Sequence, residues 1–325
     1  MNDRMNIAIS LNQNYFVYTY VMLTSLFVNH QKAELTVYVL HSELTREQIE
    51  EFQRLAQSYG GKVVSVFVDR TELCGQLPTT AEWTVEMYYR LMMPDLLPPD
   101  VERILYLDVD VIVNKSLRGF YHQDLGDKLF CVCKDVTELK CELWQQMFGP
   151  FLEQGFAYFN SGVMLWNLKE IRKQYNFAYY MRVAKELDYK LVAPDQDLLN
   201  YCHWQQVKYA DAAVYNQFAR VAHNAGKSGK EVREKVAVLH FAGTKPWGAD
   251  NAHFDIEKIW WDYARMTPYF GALCEDFVER TMTDTSMEKT LRDLLNHIAT
   301  LEQNLSDSLQ LNQKLLEMIS PKSTS

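Results

Sequence analysis

The chain has 325 residues, 48% of them hydrophobic, and a formal net charge of -9, which sets it among globular proteins and apart from disordered ones. A pI near 5.4 gives a surface that repels phosphate backbones, so nucleic acid is not an expected partner. No apolar run approaches the roughly 20 residues of a membrane-crossing helix, and a strand-like segment begins at Asn6, which leaves no room for a signal peptide.

Asn6 to Ser10 and Leu35 to Leu40 read as the first two strands, with a helix over Val17 to Asn29 between them. Glu43 to Tyr59 places Leu44, Ile49, Phe52 and Leu55 at helical spacing, with Ser42 as cap and Gly60-Gly61 as stop. Lys62 to Val68 makes a third strand, and Thr84 to Leu97 a helix ended by Pro98-Pro99. Strands follow at Leu129 to Cys133, Phe159 to Asn167 and Val236 to His240. Helices are expected near Thr137 to Phe148 and over Leu168 to Leu187, with Pro194-Asp195-Gln196-Asp197 as a turn into Leu198 to Tyr201. This alternation argues an α/β fold, a mostly parallel sheet flanked by helices, which binds ligands beyond its strand ends. Cys74, Cys131, Cys133, Cys141, Cys202 and Cys274 form no Cys-x-x-Cys pair, and we take them as reduced packing residues of a cytoplasmic protein.

Past Thr281 the pattern changes. Met287, Leu291, Leu294, Ile298, Leu301, Leu305, Ser308, Asn312, Leu315 and Ile319 alternate by three and four residues, the seam of a coiled coil. Three segments are therefore expected: a catalytic domain over 1–274, a helical coil over 282–320 that joins copies of the chain, and a frayed tail over 321–325.

The chemistry should lie at Arg103 to Val113, an apolar run suited to a strand buried on both faces. Successive strand residues face opposite sides, so Asp108 and Asp110 would project together across Val109. Two such anions need a cation, strong donors or an open strand end, and a divalent metal held by hard oxygens fits best. The plainer explanation is a pair of acids that solvate the strand exit. A third ligand is needed, and His240, at the end of Val236-Ala237-Val238-Leu239, is the best candidate. Gly243 permits close backbone approach, and Lys245 offers a compact cation for a phosphate. A hydrogen-bonded strand-end histidine beside an exposed lysine is the alternative.

Asp108-Val109-Asp110, Phe159-Asn160-Ser161-Gly162, Pro194-Asp195-Gln196-Asp197 and His240-Phe241-Ala242-Gly243-Thr244-Lys245-Pro246-Trp247, in that order, resemble glycosyltransferase family 8, which includes glycogenin and the bacterial lipopolysaccharide galactosyl- and glucosyltransferases. The resemblance spans about residues 6 to 248. It implies a GT-A fold of Rossmann-like type, a UDP-sugar donor, Mn2+ or in its place Mg2+, and retention of anomeric configuration. By that resemblance Asp108, Asp110 and His240 hold the metal, Gly243 and Lys245 meet the diphosphate, Val109 lines the donor site and Arg90 contacts the nucleotide-sugar. Asn160, Asp195 and Gln196 surround the transferred sugar. Asn14 and Tyr15 match the family, whereas Asn12 replaces the aspartate with which many members grip uracil. An amide still offers that ring one donor and one acceptor. Asn12 as a turn residue and Arg90 as a surface arginine are the ordinary alternatives.

The expected reaction moves a hexose, glucose or galactose, from a UDP-hexose to a saccharide or glycosylated acceptor, in the cytoplasm or against the inner membrane face. Gln196, an amide, is a poor nucleophile for double displacement, so we expect front-face return, with Asp195 as a hydroxyl clamp. Two other functions fit parts of the sequence: a haloacid-dehalogenase-like phosphohydrolase, which also ends a strand in Asp-x-Asp, and a non-catalytic sugar-nucleotide-binding module assembled by its coil.

Overall fold

The computed structural model describes residues 4–31, 33–70, 85–248 and 253–283, with scattered positions from 292 to 308. They fall into two compact units, 1–246 with 253–270, and 247–252 with 271–325.

In the first unit the strands are β1 (Arg4–Ser10), β2 (Glu34–His41), β3 (Lys62–Phe67), β4 (Ile104–Leu107), β5 (Val111–Val113), β6 (Phe130–Lys134), β7 (Phe159–Trp166), β8 (Val207–Ala210), β9 (Gln217–Phe218) and β10 (Val238–His240). Among the described residues they form a seven-stranded sheet in the order β3-β2-β1-β4-β7-β6-β8 and a three-stranded sheet in the order β5-β10-β9. In the large sheet β7 runs antiparallel to both its neighbours and the other pairs are parallel. Alternation along each strand divides the core. Leu105 and Leu107 of β4 join Ile7 and Ile9 on one face, and Ile104 and Tyr106 join Ala8, Phe130 and Trp166 on the other.

Several expected elements change form. Arg103 to Val113 is not one strand: β4 belongs to the large sheet and β5 to the small one. Asp108, Val109 and Asp110 make the turn between them, so strand alternation is not what brings the carboxylates together. The helix expected from Glu43 begins at Arg46, because Thr45 rather than Ser42 caps it: Gln48 N–H donates to Thr45 Oγ1, and Thr45 N–H to Gln48 Oε1 at 2.9 Å. Gly60, at φ 78°, does stop that helix. Leu168 to Leu187 is broken into Leu168–Ile171 and Phe177–Glu186, since Asn176 accepts from Tyr179 N–H and starts a new helix. The helix expected at Thr137 runs instead from Glu142 to Leu152. Pro194 to Asp197 is the first turn of a helix, Pro194–His203, and not a turn ahead of one. Pro suits that position because its missing N–H is not needed there.

The described cysteines, Cys131, Cys133, Cys141, Cys202 and Cys274, are free thiols; Cys74 lies outside the described residues. The helix Phe270–Thr283, all but its first residue in the second unit, spans residue 274, the expected end of the catalytic domain. Leu295, Ile298, Leu301 and Leu305 are each at least half exposed. The rest of the expected coil and the tail lie outside the described residues. No described helix is long and apolar enough to cross a membrane.

Candidate active site

Three chain crossings meet at the C-terminal ends of β1 and β4. Because β7 is antiparallel to β4, its first residues, Asn160 to Gly162, arrive beside the exit of β4, and Asp108 N–H donates to Gly162 O at 2.8 Å. The register of β10 on β5 pairs His240 with Val111, and Phe241 N–H donates to Asp110 O at 3.0 Å. Asp110 and His240 are thus neighbours by strand pairing across 130 residues of sequence (240 − 110). One ligand atom from each of Asp108, Asp110 and His240 lies within 4.8 Å of the others.

This corner is held rigidly. Arg90 Nη2 donates to Asp108 Oδ1 at 2.8 Å, and Tyr106 OH donates to the same oxygen at 3.2 Å. Lys245 Nζ is ion-paired with Asp110 Oδ2 and donates to Phe241 O at 2.9 Å. Asp110 is largely shielded from solvent, and burial alone would raise its pKa, yet Lys245 and His240 together outweigh burial and hold the carboxyl well below the ordinary range. Asp110 Oδ1 is buried and receives no hydrogen bond, with His240 Nε2 3.2 Å away. An oxygen left unpaired beside an imidazole nitrogen and a second carboxylate is a donor set suited to a hard or borderline divalent cation. Gly162 keeps the space clear: a Cβ there would overlap Asp108 Oδ2 and stand 2.6 Å from His240 Cε1.

The adjoining corner is built around Arg90. It sits on a 3₁₀ helix, Val85–Met92, that is buried from Glu86 onward, so it is an interior arginine rather than a surface one. Nε lies 3.0 Å from Asp195 Oδ2, Nη1 donates to Ser161 O at 2.7 Å, and the guanidinium lies 4.3 Å over the Tyr106 ring. Burial opposes its charge, but Asp108 and Asp195 keep its pKa raised. Asp195 moves the other way from Asp110: burial raises its pKa, and Arg90 only partly offsets that. Gln196 Oε1 accepts from Ser161 N–H at 2.8 Å and Asn160 Nδ2 at 3.1 Å.

Both corners line one cavity of about 930 Å³, toward the upper end of the ~300–1,000 Å³ of small-molecule sites. Asn12, Tyr15, Arg90, Asp108, Val109, Asp110, Asn160, Asp195, Gln196, His240, Gly243 and Lys245 all line it. Asn14 is exposed on the 3₁₀ turn Gln13–Tyr15 and is not in that lining. Asn12 Oδ1 is buried without a hydrogen bond. Gly243 has φ +82° with open space around its would-be Cβ, so backbone conformation is what calls for glycine there.

Three lining or supporting residues escaped the sequence. Asp135, just past β6, accepts from Asn160 Nδ2 at 3.0 Å and Gln196 Nε2 at 3.3 Å; it is a strand-end acid, the same signal that marks Asp108. Trp144 lines the cavity and donates through Nε1 to Asp197 at 2.9 Å. Asn216 meets His240, and nothing in its local sequence announces it.

A nucleotide-sized cavity with a carboxylate and imidazole cluster, set where the strands of an α/β sheet end, suits a nucleotide-linked substrate held beside a divalent cation, as in metal-dependent glycosyltransferases of GT-A type. A model of glycosyl transferase family 8 matches residues 6–251, and the chain belongs to that family. It is a retaining transferase that draws on a UDP-sugar, which sets aside the phosphohydrolase alternative. A lipopolysaccharide 1,2-glucosyltransferase of Escherichia coli is 26% identical over 253 residues, covering 75% of this chain and 74% of the relative. A lipopolysaccharide 1,3-galactosyltransferase of Salmonella typhimurium is 26% identical over 262 residues, covering 77% and 75%. The crystal structure of galactosyltransferase LgtC with donor and acceptor sugar analogues superposes with a TM-score of 0.70 at 25% identity, covering 81% of this chain and 96% of that one.

Proposed function

We propose that this enzyme transfers a hexose, glucose or galactose, from its UDP conjugate to a saccharide acceptor with Mn2+ as the working cation, Mg2+ serving less well, at the cytoplasmic side of the cell. The observation that carries the proposal is the convergence of Asp108, Asp110 and His240, with Asp110 Oδ1 buried, without a hydrogen bond and 3.2 Å from His240 Nε2. A divalent cation bound there supplies Lewis-acid neutralisation of the charge that grows on the departing diphosphate.

The chain's own residues do the rest. Lys245 places an ammonium at the same end of the cavity, where it can donate to diphosphate oxygens. Gly243, with its backbone open to the cavity, lets that group approach closely. Asn12 and Tyr15 stand at the exit of β1 for the base, and Val109 lines the same cavity. Arg90 fixes the orientation of Asp108 and neutralises Asp195. Asp195, tied to Arg90 and to Ser161 Oγ at 3.2 Å, serves to hold that arginine more than to clamp a sugar hydroxyl. Asn160, Gln196 and Asp135 present amide and carboxylate groups to the sugar.

The Gln196 carbonyl already accepts three hydrogen bonds, from Asn160 Nδ2 and from the N–H and Oγ of Ser161, so a covalent glycosyl-enzyme on it is disfavoured. Transfer then runs on one face: the bond from the anomeric carbon to the diphosphate oxygen breaks, the acceptor oxygen bonds to that carbon from the same side, and its proton passes to the leaving diphosphate. We further propose that the segment 282–320 joins copies of the chain. A panel of UDP-, GDP- and CDP-sugars assayed for nucleotide release with Mn2+, with Mg2+ and with chelator tests the donor and metal choices. UDP-hexose turnover that depends on Mn2+ supports them, and full turnover in chelator contradicts them.

A further inference from the structure

Asn216 follows the short helix Ala212–Tyr215 and is 3% exposed. Backbone groups settle which way its amide faces. Gly162 N–H is a donor only, and it meets Asn160 Oδ1 at 2.9 Å. The group of Asn216 that reaches the same oxygen, at 2.8 Å, is therefore its Nδ2. Its Oδ1 is then the atom 2.8 Å from His240 Nδ1, so Nδ1 carries the hydrogen and donates. Neutral imidazole with hydrogen on Nδ1 has its lone pair on Nε2, the nitrogen that faces Asp110. The edge-on Phe218 ring, 5.1 Å from His240, limits rotation further.

The same logic runs outward. Ser161 N–H fixes Gln196 Oε1 as an acceptor, Asn160 Nδ2 donates to it, and both amides donate to Asp135. One chain of amides thus joins the imidazole of the cation corner to the polar wall of the sugar corner.

We propose that Asn216 is a positioning residue: it holds His240 in the form that presents Nε2 to the cation and, through Asn160, ties that site to the groups that face the sugar. This rests on the metal site proposed above. Such supporting partners commonly change metal affinity by about 10–100-fold.

Two substitutions separate the two links. Asn216→Ala removes both; Asn216→Asp keeps an acceptor for His240 Nδ1–H but cannot donate to Asn160 Oδ1. Calorimetric titration of Mn2+ into the UDP-saturated full-length protein, with circular dichroism to verify folding, should show affinity weakened about tenfold or more in Asn216→Ala and within about threefold of the parent in Asn216→Asp. Turnover of the UDP-hexose at saturating Mn2+ should fall at least about tenfold in both. Unchanged Mn2+ affinity in Asn216→Ala, or loss in Asn216→Asp as great as in Asn216→Ala, overturns the proposal. If Asn216→Ala does not fold, Asn216→Asp decides alone: retained affinity with lost turnover supports the coupling, and lost affinity ends it. No Mn2+ binding by the parent UDP complex would instead defeat the metal site itself.

Discussion

Asp195 is buried and Asp110 largely so, both are ion-paired with a basic side chain and both open onto one cavity, yet their pKa values move in opposite directions. Asp110 gives one oxygen to Lys245 and keeps the other without a hydrogen bond, 3.2 Å from His240 Nε2. Asp195 shares Arg90 with Asp108, whose negative charge adds to the cost of ionising it. The folded pKa of Asp110 lies below its ordinary 3.8, so it adds stability at neutral pH that fades as pH falls below that value. The folded pKa of Asp195 lies above 3.8, so its ionised form costs stability at neutral pH, a cost relieved by acid. The difference teaches that a buried carboxylate is suited to a ligand role when its neighbours leave an oxygen free and keep it charged, and to a scaffold role when they consume it.

The contrast can be broken most severely at the cation corner. Asp110→Ala should cut UDP-hexose turnover by about a thousandfold or more with the fold intact by circular dichroism; turnover within tenfold of the parent would remove Asp110 from the metal site. Gly162→Ala should come next, about a hundredfold down, because its methyl must displace Asp108 or His240, both already pinned by other partners. Activity near the parent level would mean the ligands tolerate displacement.

At the scaffold corner the larger effect should be on stability. Arg90→Ala leaves Asp195 buried without its cation and should cost about 3–5 kcal/mol in urea unfolding; a loss below 1 kcal/mol would show that Asp195 needs no such partner. Milder still is the pH response of His203, which ends the helix that bears Asp195 and Gln196. Its ring is wholly buried, is hydrogen-bonded to Tyr180 OH and has burial pull its pKa from 6.5 to about 4. The unfolded chain binds that proton more readily, so stability is fully present above pH 6.5 and falls as pH drops toward 4, by about 3 kcal/mol in all. Denaturation midpoints across this window should lose most of the slope in His203→Gln, and an unchanged slope would assign it elsewhere. Smallest of all for catalysis, removal of residues after Thr281 should lower the mass by light scattering and leave donor hydrolysis unchanged; an unaltered mass contradicts the coil's role in assembly.

Much of this was legible in the sequence because it is local. The βαβ opening shows as hydrophobic period, Gly60 as a stop, and Asp108 and Asp110 as charges among apolar residues. Other features depend on what distant segments do to one another. The split of Arg103 to Val113 between two sheets follows from β5 pairing with β10, 125 residues later at the Val113–Val238 pair (238 − 113), and no local pattern records it. Arg90 stands out in the sequence only by the family resemblance, since its local helix pattern is equally that of a surface arginine, and it is the packing of the 3₁₀ helix and Asp195 that encloses it. Asp135 could have been found by the strand-end rule that found Asp108, whereas Asn216 could not, since a single amide between short elements has no periodicity and acquires its role only when His240 and Asn160 close around it.

The most direct test is a crystal structure of the protein grown with Mn2+ and UDP, read for anomalous signal at the ion. We expect one Mn2+ within about 2–2.4 Å of an oxygen of Asp108, an oxygen of Asp110 and Nε2 of His240, with the diphosphate completing its shell. An ion held by the diphosphate alone, with those three groups beyond reach, would contradict it.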